Sequence, residues 1–198
     1  MELPTLEAYL VEKIIPDLEK GRPGFDAPHT LEVVSWVKKI LEHEPRIVAD
    51  RQVMLIAAYA HDWGYAGMFA HGRTLQIDEV IDAKKRHMER GAQKLRKLLG
   101  DPFFSFLSDT QKQRSIHLVA VHDKLGALED SDEIVLMEAD TLSGLDVETK
   151  KSQFDAASNK KFITAVAATR IPRFITKFGR REVKRLLRVR ARYYTSRT

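Results

Sequence analysis

Two His-Asp dipeptides, His61-Asp62 and His122-Asp123, fall among the seven histidines of this chain. Such a pair is weak evidence alone, and its occurring twice makes the point. Position on helical stripes says more. Asp140 lies in E-I-V-L-M-E-A-D-T-L, with Leu136 and Met137 on its own helical face. A carboxylate turned toward a core is costly unless a cation meets it, either a metal ion or a buried Arg or Lys. His29 shares a stripe with Val33, Trp36 and Ile40, and His122 has Leu118 and Val119 behind it. His87 lines up with Gly91, Leu95 and Leu98. A glycine inside a helix costs about 1 kcal/mol against alanine, so Gly91 points to another element packed close beside His87. His117 follows Gln113 and Arg114 on its face and reads as solvated. His43 sits at a helix end, and His71 lies in a glycine-rich loop, either idle or facing a substrate. Four inward histidines and two inward aspartates remain: His29, His61, Asp62, His87, His122 and Asp140. Imidazole with carboxylate suits iron, manganese, zinc or nickel. Six ligands exceed what one four-coordinate zinc takes, whereas two divalent ions sharing a carboxylate would use them all. With no cysteine in the chain, nitrogen and oxygen are the only ligands on offer.

Helical periodicity dominates, and alternating strand patterns are missing, so the expected fold class is all-α. The first helix runs from Leu3 to Lys20 and closes at the G-R-P-G turn of residues 21–24. His29 to about Glu42 forms the second. Asp50 caps a third that runs through V-M-L-I-A-A-Y-A to His61. Adjacent helical residues point about 100° apart, so His61 and Asp62 can share a cation only beyond that helix end. Gly64 and Gly67 open a loop before a long helix from about Asp78 to Leu99. Asp109 or Thr110 starts a fifth helix that ends near His122, and Ser131 caps a sixth through Leu142. Helices near 148–169 and 172–194 complete the chain. Pro172 marks the one plausible boundary, between a body of residues 1–171 and a basic C-terminal helix of residues 172–198.

The chain has 198 residues, 43% apolar and 31% charged, enough for one domain with a proper core. Its longest apolar stretch, Val53 to Ala60, is too short for a membrane span. The start, M-E-L-P-T-L-E, lacks the basic residues and apolar run of a secretion signal, which leads to the expectation of a cytoplasmic protein. The net charge of +5 is unevenly spread: residues 170–198 hold eleven Lys/Arg against Glu182 alone, while the rest is mildly acidic. Such a tail suits a polyanion, an anionic surface or a second copy of the chain, and the plain alternative is a solvated helix face.

Taken in order, His29, His61-Asp62, His87, His122 and Asp140 resemble the H…HD…H…H…D pattern of binuclear HD-domain proteins. The local contexts P-H-T-L-E-V, A-A-Y-A-H-D-W-G, H-M-E-R-G-A, V-A-V-H-D-K and M-E-A-D-T-L agree, across roughly residues 25–145. The resemblance implies an HD-domain helical bundle, here with the basic C-terminal helix added. It implies that His29, His61, Asp62 and Asp140 hold one ion and that Asp62 bridges to a second held by His87 and His122. The ions would be divalent transition metals, two per chain: iron or manganese, with nickel and zinc as alternatives. Members with one metal lack the equivalents of His87 and His122. The H-H-E…G-Y-P signature of the cyclic-di-GMP branch is missing. The implied activity is a metal-dependent phosphohydrolase or phosphodiesterase acting on a nucleotide or related small phosphate ester. In such a site two ions about 3.5–4 Å apart generate a bridging hydroxide for in-line attack. Asp62 would be central to that chemistry, with Lys124 the best-placed cation to steady the phosphoryl oxygens. Lys85, Arg86 and Arg73 are weaker candidates for the same role. The resemblance also reaches di-iron oxygenases with a similar ligand set. A third reading is a non-catalytic nucleotide-binding HD module, against which the intact ligand set argues.

Overall fold

Every residue from Val53 to Ala60 is buried, which makes α3 (Arg51–Ala60) the centre of the molecule. A helix apolar on all sides has to be surrounded, and α1 (Leu3–Leu18), α2 (Asp26–His43), α4 (Ile77–Leu98), α5 (Asp109–Val121) and α6 (Ser131–Leu145) all pack on it. The chain ends with α7 (Ala156–Thr169) and α8 (Lys177–Thr195). This is a computed structural model that describes residues 2–22, 24–69, 77–149 and 154–195, with backbone alone at residues 77–82 and 85. Among the described residues there is no strand, so the all-α expectation holds. No described helix is long and apolar enough to cross a membrane.

Local chemistry accounts for the helix limits. The Asp50 carboxylate accepts the backbone N–H of Gln52 at 2.8 Å and of Val53 at 3.1 Å, the expected cap of α3. Helix α5 starts at Asp109 as expected, and its cap is Ser108, in a reciprocal capping box with Gln111. Ser131, expected to cap α6, is its first helical residue, and its hydroxyl donates instead to the Val48 carbonyl at 3.1 Å. Glu133 reaches back to the N–H groups of Glu129 and Asp130 at 2.8 and 3.1 Å. The seventh helix starts at Ala156 rather than near 148, where the Asp155 carboxylate accepts the Ser158 N–H at 2.7 Å. In α1, Leu6, Leu10, Ile14 and Leu18 form one fully buried i, i+4 stripe.

The C-terminal helix α8 lies on α6 and α2. Phe174, Phe178, Val183 and Leu186 join the same apolar core as the rest of the bundle. Two buried polar anchors fix its position. Glu138, on α6 and fully buried, accepts the N–H of Ile175 at 2.5 Å and of Thr176 at 3.0 Å, together with the Thr176 hydroxyl. A Cβ at Gly179 would fall 2.2 Å from Glu138 Oε2, so a larger residue there would have to displace that carboxylate. Farther along, the buried Arg190 donates to the carbonyls of Gly144 and Leu145 at 2.9 and 3.2 Å, satisfying the open end of α6.

Candidate metal centre

The six residues singled out in the sequence come from five elements. His29 lies in the first turn of α2, His61 and Asp62 directly follow α3, His87 is on α4, His122 directly follows α5, and Asp140 is on α6. All four imidazoles and Asp62 are buried. The rings are held alike. The Nδ1 atoms of His61, His87 and His122 each meet the carbonyl three residues earlier, at Ala58 (2.8 Å), Lys84 (2.8 Å) and Val119 (2.9 Å). His29 Nδ1 meets the Ser143 hydroxyl at 2.8 Å, which in turn donates to Glu32 at 2.9 Å. A carbonyl can only accept, so at His61, His87 and His122 Nδ1 carries a proton, and in the neutral ring Nε2 keeps the lone pair; Ser143, which donates to Glu32, accepts from His29 Nδ1 in the same way.

Those lone pairs converge. His29 Nε2 is 3.4 Å from His61 Nε2, and His87 Nε2 is 3.1 Å from His122 Nε2. His29 Nε2 is also 3.0 Å from Asp140 Oδ1. Acceptors that face each other at such distances repel unless a cation lies among them. Asp62 connects the two pairs. Its Oδ2 lies 3.5 Å from His61 Nε2 and 3.6 Å from His29 Nε2, while its Oδ1 lies 3.4 Å from His87 Nε2 and 3.7 Å from His122 Nε2. Two groups result that could each hold an ion, His29/His61/Asp62 and Asp62/His87/His122, with Asp62 common to both.

Close backbone packing sets this geometry. A Cβ at Gly64 would lie 1.8 Å from the His87 carbonyl oxygen, so only glycine lets the short 3-10 turn Trp63–Tyr65 rest on α4. Gly91 lies on the same seam, with Val119, Gly64 and the Ala60 carbonyl 3.1–3.4 Å from a built Cβ. The close approach expected beside His87 is therefore present. Gly67 supplies the turn itself, at φ 74°.

Burial pulls the His29 and His87 imidazoles down to about 4, so both stay neutral. Asp62 shows the opposite balance. Burial opposes its ionisation, but His61 and Arg22 outweigh that and hold it well below the usual carboxylate range. Asp140 is held down in the same way, chiefly by Arg170. His122 moves up, because its contact with Asp62 and the charge of Asp123 outweigh its burial.

Sequence reasoning left Arg22, Asp26, Lys84, Asp123 and Arg170 without a role. Arg22 Nη2 donates to Asp62 Oδ2 at 2.7 Å, and its Nε donates to the buried Asp26 at 2.6 Å. Arg170 Nη1 donates to Asp140 Oδ2 at 2.7 Å and to Thr141 Oγ1 at 3.0 Å, and its Nη2 pairs with Asp123. Asp123 also takes Lys84 at 3.0 Å. The carboxylate of Asp140 thus has the buried arginine considered for it on one oxygen, while its other oxygen faces His29. Lys124 does not join. Helix α5 ends at Val121, the chain turns, and the Lys124 side chain is exposed without a contact to the cluster. Arg86 is exposed as well. His71, Arg73 and the Lys85 side chain lie outside the described residues. His117, read as solvated, is exposed and pairs with Glu133 at 2.7 Å. His43 is exposed too and rests on the Phe178 ring.

Tyr65 closes one side of the centre. Its ring is parallel to that of His87, with centroids 4.2 Å apart, and the Arg22 guanidinium lies 4.2 Å over it. Burial and the nearby Asp62 push its phenol upward, so the O–H is retained.

A helical bundle with this His/Asp arrangement defines a metal-binding class, and comparison with known proteins agrees. The HD domain matches residues 27–145, more than half of the chain, and all six residues lie inside the match. The chain belongs to the HD domain family. Its fold is similar to the crystal structure of a predicted HD superfamily hydrolase from an uncultured Thermotogales bacterium. That likeness has a TM-score of 0.60 and 17% identity, and covers 98% of this chain and 90% of the other. No curated protein sequence matches.

Proposed function

We propose that this protein is a metal-dependent phosphohydrolase that acts on a nucleotide or related small phosphate ester at a centre of two divalent ions. The observation that carries the reading is the Asp62 carboxylate, whose two oxygens face two separate histidine pairs. His29, His61, Asp62 and Asp140 would hold one ion; Asp62, His87 and His122 would hold the other. Bound ions would activate water as Lewis acids and neutralise charge on the phosphoryl group.

The remaining residues prepare the site for an anion. Asp26, Asp62, Asp123 and Asp140 face Arg22, Lys84 and Arg170, so apart from the imidazoles the pocket carries one more negative charge than positive. Two divalent ions would reverse that sign and favour a phosphate. Arg170 holds Asp140 and Asp123 in place, which leaves Asp140 Oδ1 turned toward His29. Arg22 steadies Asp62 from the side of the α1–α2 turn. Lys84, about half exposed on α4, is the cation with most freedom to meet an incoming phosphoryl oxygen.

The test is a panel of generic phosphate esters and nucleotides offered to manganese- or iron-loaded protein without oxygen. Release of phosphate or nucleoside is expected, and loss of turnover in the Asp62→Ala variant should accompany it. Turnover that appears only when dioxygen is supplied would favour the di-iron oxygenase reading. Ligand binding without turnover would favour a non-catalytic module.

A further inference from the structure

Tyr65 carries a hydroxyl for which the described part of the fold has no use. The residue is 1% exposed, and its oxygen has no hydrogen-bond partner among the described residues. Its ring, by contrast, is held firmly. His87 stacks parallel to one face at 4.2 Å, the Arg22 guanidinium covers the ring at 4.2 Å, and Phe69 packs at 5.9 Å. Phenylalanine would make all three ring contacts equally well. A buried O–H without a partner loses its hydration and gains nothing in return, so the folded chain alone gives no reason for the oxygen.

The surroundings narrow what the missing partner can be. Tyr65 ends the turn that begins at Asp62 and lies against His87, a residue of each kind in the proposed metal set. The nearby acceptors are committed: Asp26 and Asp62 to Arg22, and Asp123 to Arg170 and Lys84. The other orphaned hydroxyl among the described residues is Thr30 Oγ1, inside α2. A fixed, neutral donor beside a cation-binding cluster matches an oxyanion that arrives with the ligand.

We propose that the Tyr65 hydroxyl is a substrate-contacting donor, forming a hydrogen bond to a non-bridging oxygen of the phosphoryl group bound at this centre. The proposal rests on the phosphohydrolase reading and adds a specificity element to it. A ligand that places a charged oxygen at this point gains the bond, and one with an apolar group there leaves the hydroxyl unpaired.

Tyr65→Phe removes one oxygen and keeps the ring stack, so it isolates the claim. Three properties would be measured on wild type and variant: thermal stability of the metal-free protein, metal content, and affinity of the manganese-loaded protein for inorganic phosphate. The expected result is equal or higher thermal stability, unchanged metal content, and phosphate binding weaker by about tenfold or more, the scale of a hydrogen bond to a charged group. The kcat/KM for a phosphate ester should fall by at least a similar factor. A lower melting temperature for the metal-free variant would show that the hydroxyl serves the fold and would overturn the proposal. Phosphate binding equal to wild type would also overturn it while leaving the phosphohydrolase reading intact. If the manganese-loaded wild type itself fails to bind phosphate and to hydrolyse esters, both readings fall together.

Discussion

Four imidazoles give their Nδ1 protons to neighbours and turn Nε2 toward Asp62, and the chemistry of the site begins there. Partners that orient a ligand ring usually matter for affinity by 10–100-fold. Ser143→Ala removes the acceptor behind His29 and is expected to weaken metal binding by about that factor, measured by competition with a chelator. Asp62→Ala should do more, since on the two-ion reading proposed above it would take an oxygen from each ion. Metal content and turnover should both fall to near background while the circular dichroism of the bundle is kept. Acid behaviour follows from the burial of His29 and His87, each pulled from 6.5 to about 4. A depressed histidine means that the unfolded chain takes up the proton first. Stability of the metal-free protein therefore falls as pH drops from about 6.5 to about 4, by on the order of 3 kcal/mol per group. Asp62 and Asp140, held low in the fold, add a further loss at more acid pH, and the raised His122 offsets part of the total. Denaturant midpoints of metal-free protein across pH 7 to 4 would show the slope, and a flat profile would contradict the neutral assignment. The cluster residues were legible in the sequence because His29, His87, His122 and Asp140 share helical stripes with apolar neighbours and His61-Asp62 ends an apolar helix. The arginines were not. Arg22 lies in a turn and Arg170 beside the basic tail, and they meet Asp62 and Asp123 across 40 and 47 residues, which no local period encodes.

Helices bring these residues together through close contacts, and here glycine is the limiting residue. Gly64→Ala would drive a methyl into the His87 carbonyl, 1.8 Å from the built Cβ. Backbone must move to relieve that, so the variant is expected to lose about 2–4 kcal/mol and to bind metal poorly, read by thermal unfolding and metal analysis. Gly67→Ala meets open space and carries only the strain of positive φ, about 1 kcal/mol. Wild-type metal content is expected there. Equal damage from both would show that the turn–α4 contact does not position Asp62. The sequence suggested a close approach at Gly91 but read Gly64 as a chain-turning residue, because contact between a turn and a helix 23 residues away leaves no periodic trace. The start of α8 was missed for a similar reason. Its cap is Thr176 together with Glu138, a carboxylate buried on another helix.

At the scale of the whole molecule, charge divides the chain into an acidic body and a basic end, and α8 carries eight of the eleven Lys and Arg of that end. Deleting the tail would strip Phe174, Phe178, Val183 and Leu186 from the core, so charge substitution is the cleaner experiment. Arg181, Lys184, Arg188 and Arg192 are exposed along α8. Changing all four to glutamine should leave metal content and thermal stability near wild type. If the helix takes up a polyanion, binding of duplex DNA as a probe should weaken and its salt dependence should flatten by up to about four contacts' worth. Unchanged weak binding in both proteins would leave α8 as a helix with a solvated basic face. The binuclear centre itself stands or falls on a count of ions. Protein prepared without chelators, analysed for transition metals alongside His87→Ala, is the most direct measurement. Wild type should carry about two divalent ions per chain and His87→Ala about one, since the His29/His61/Asp62/Asp140 group survives the change. About one ion per chain in wild type, unaltered by His87→Ala, would contradict the sharing of Asp62 between two metals.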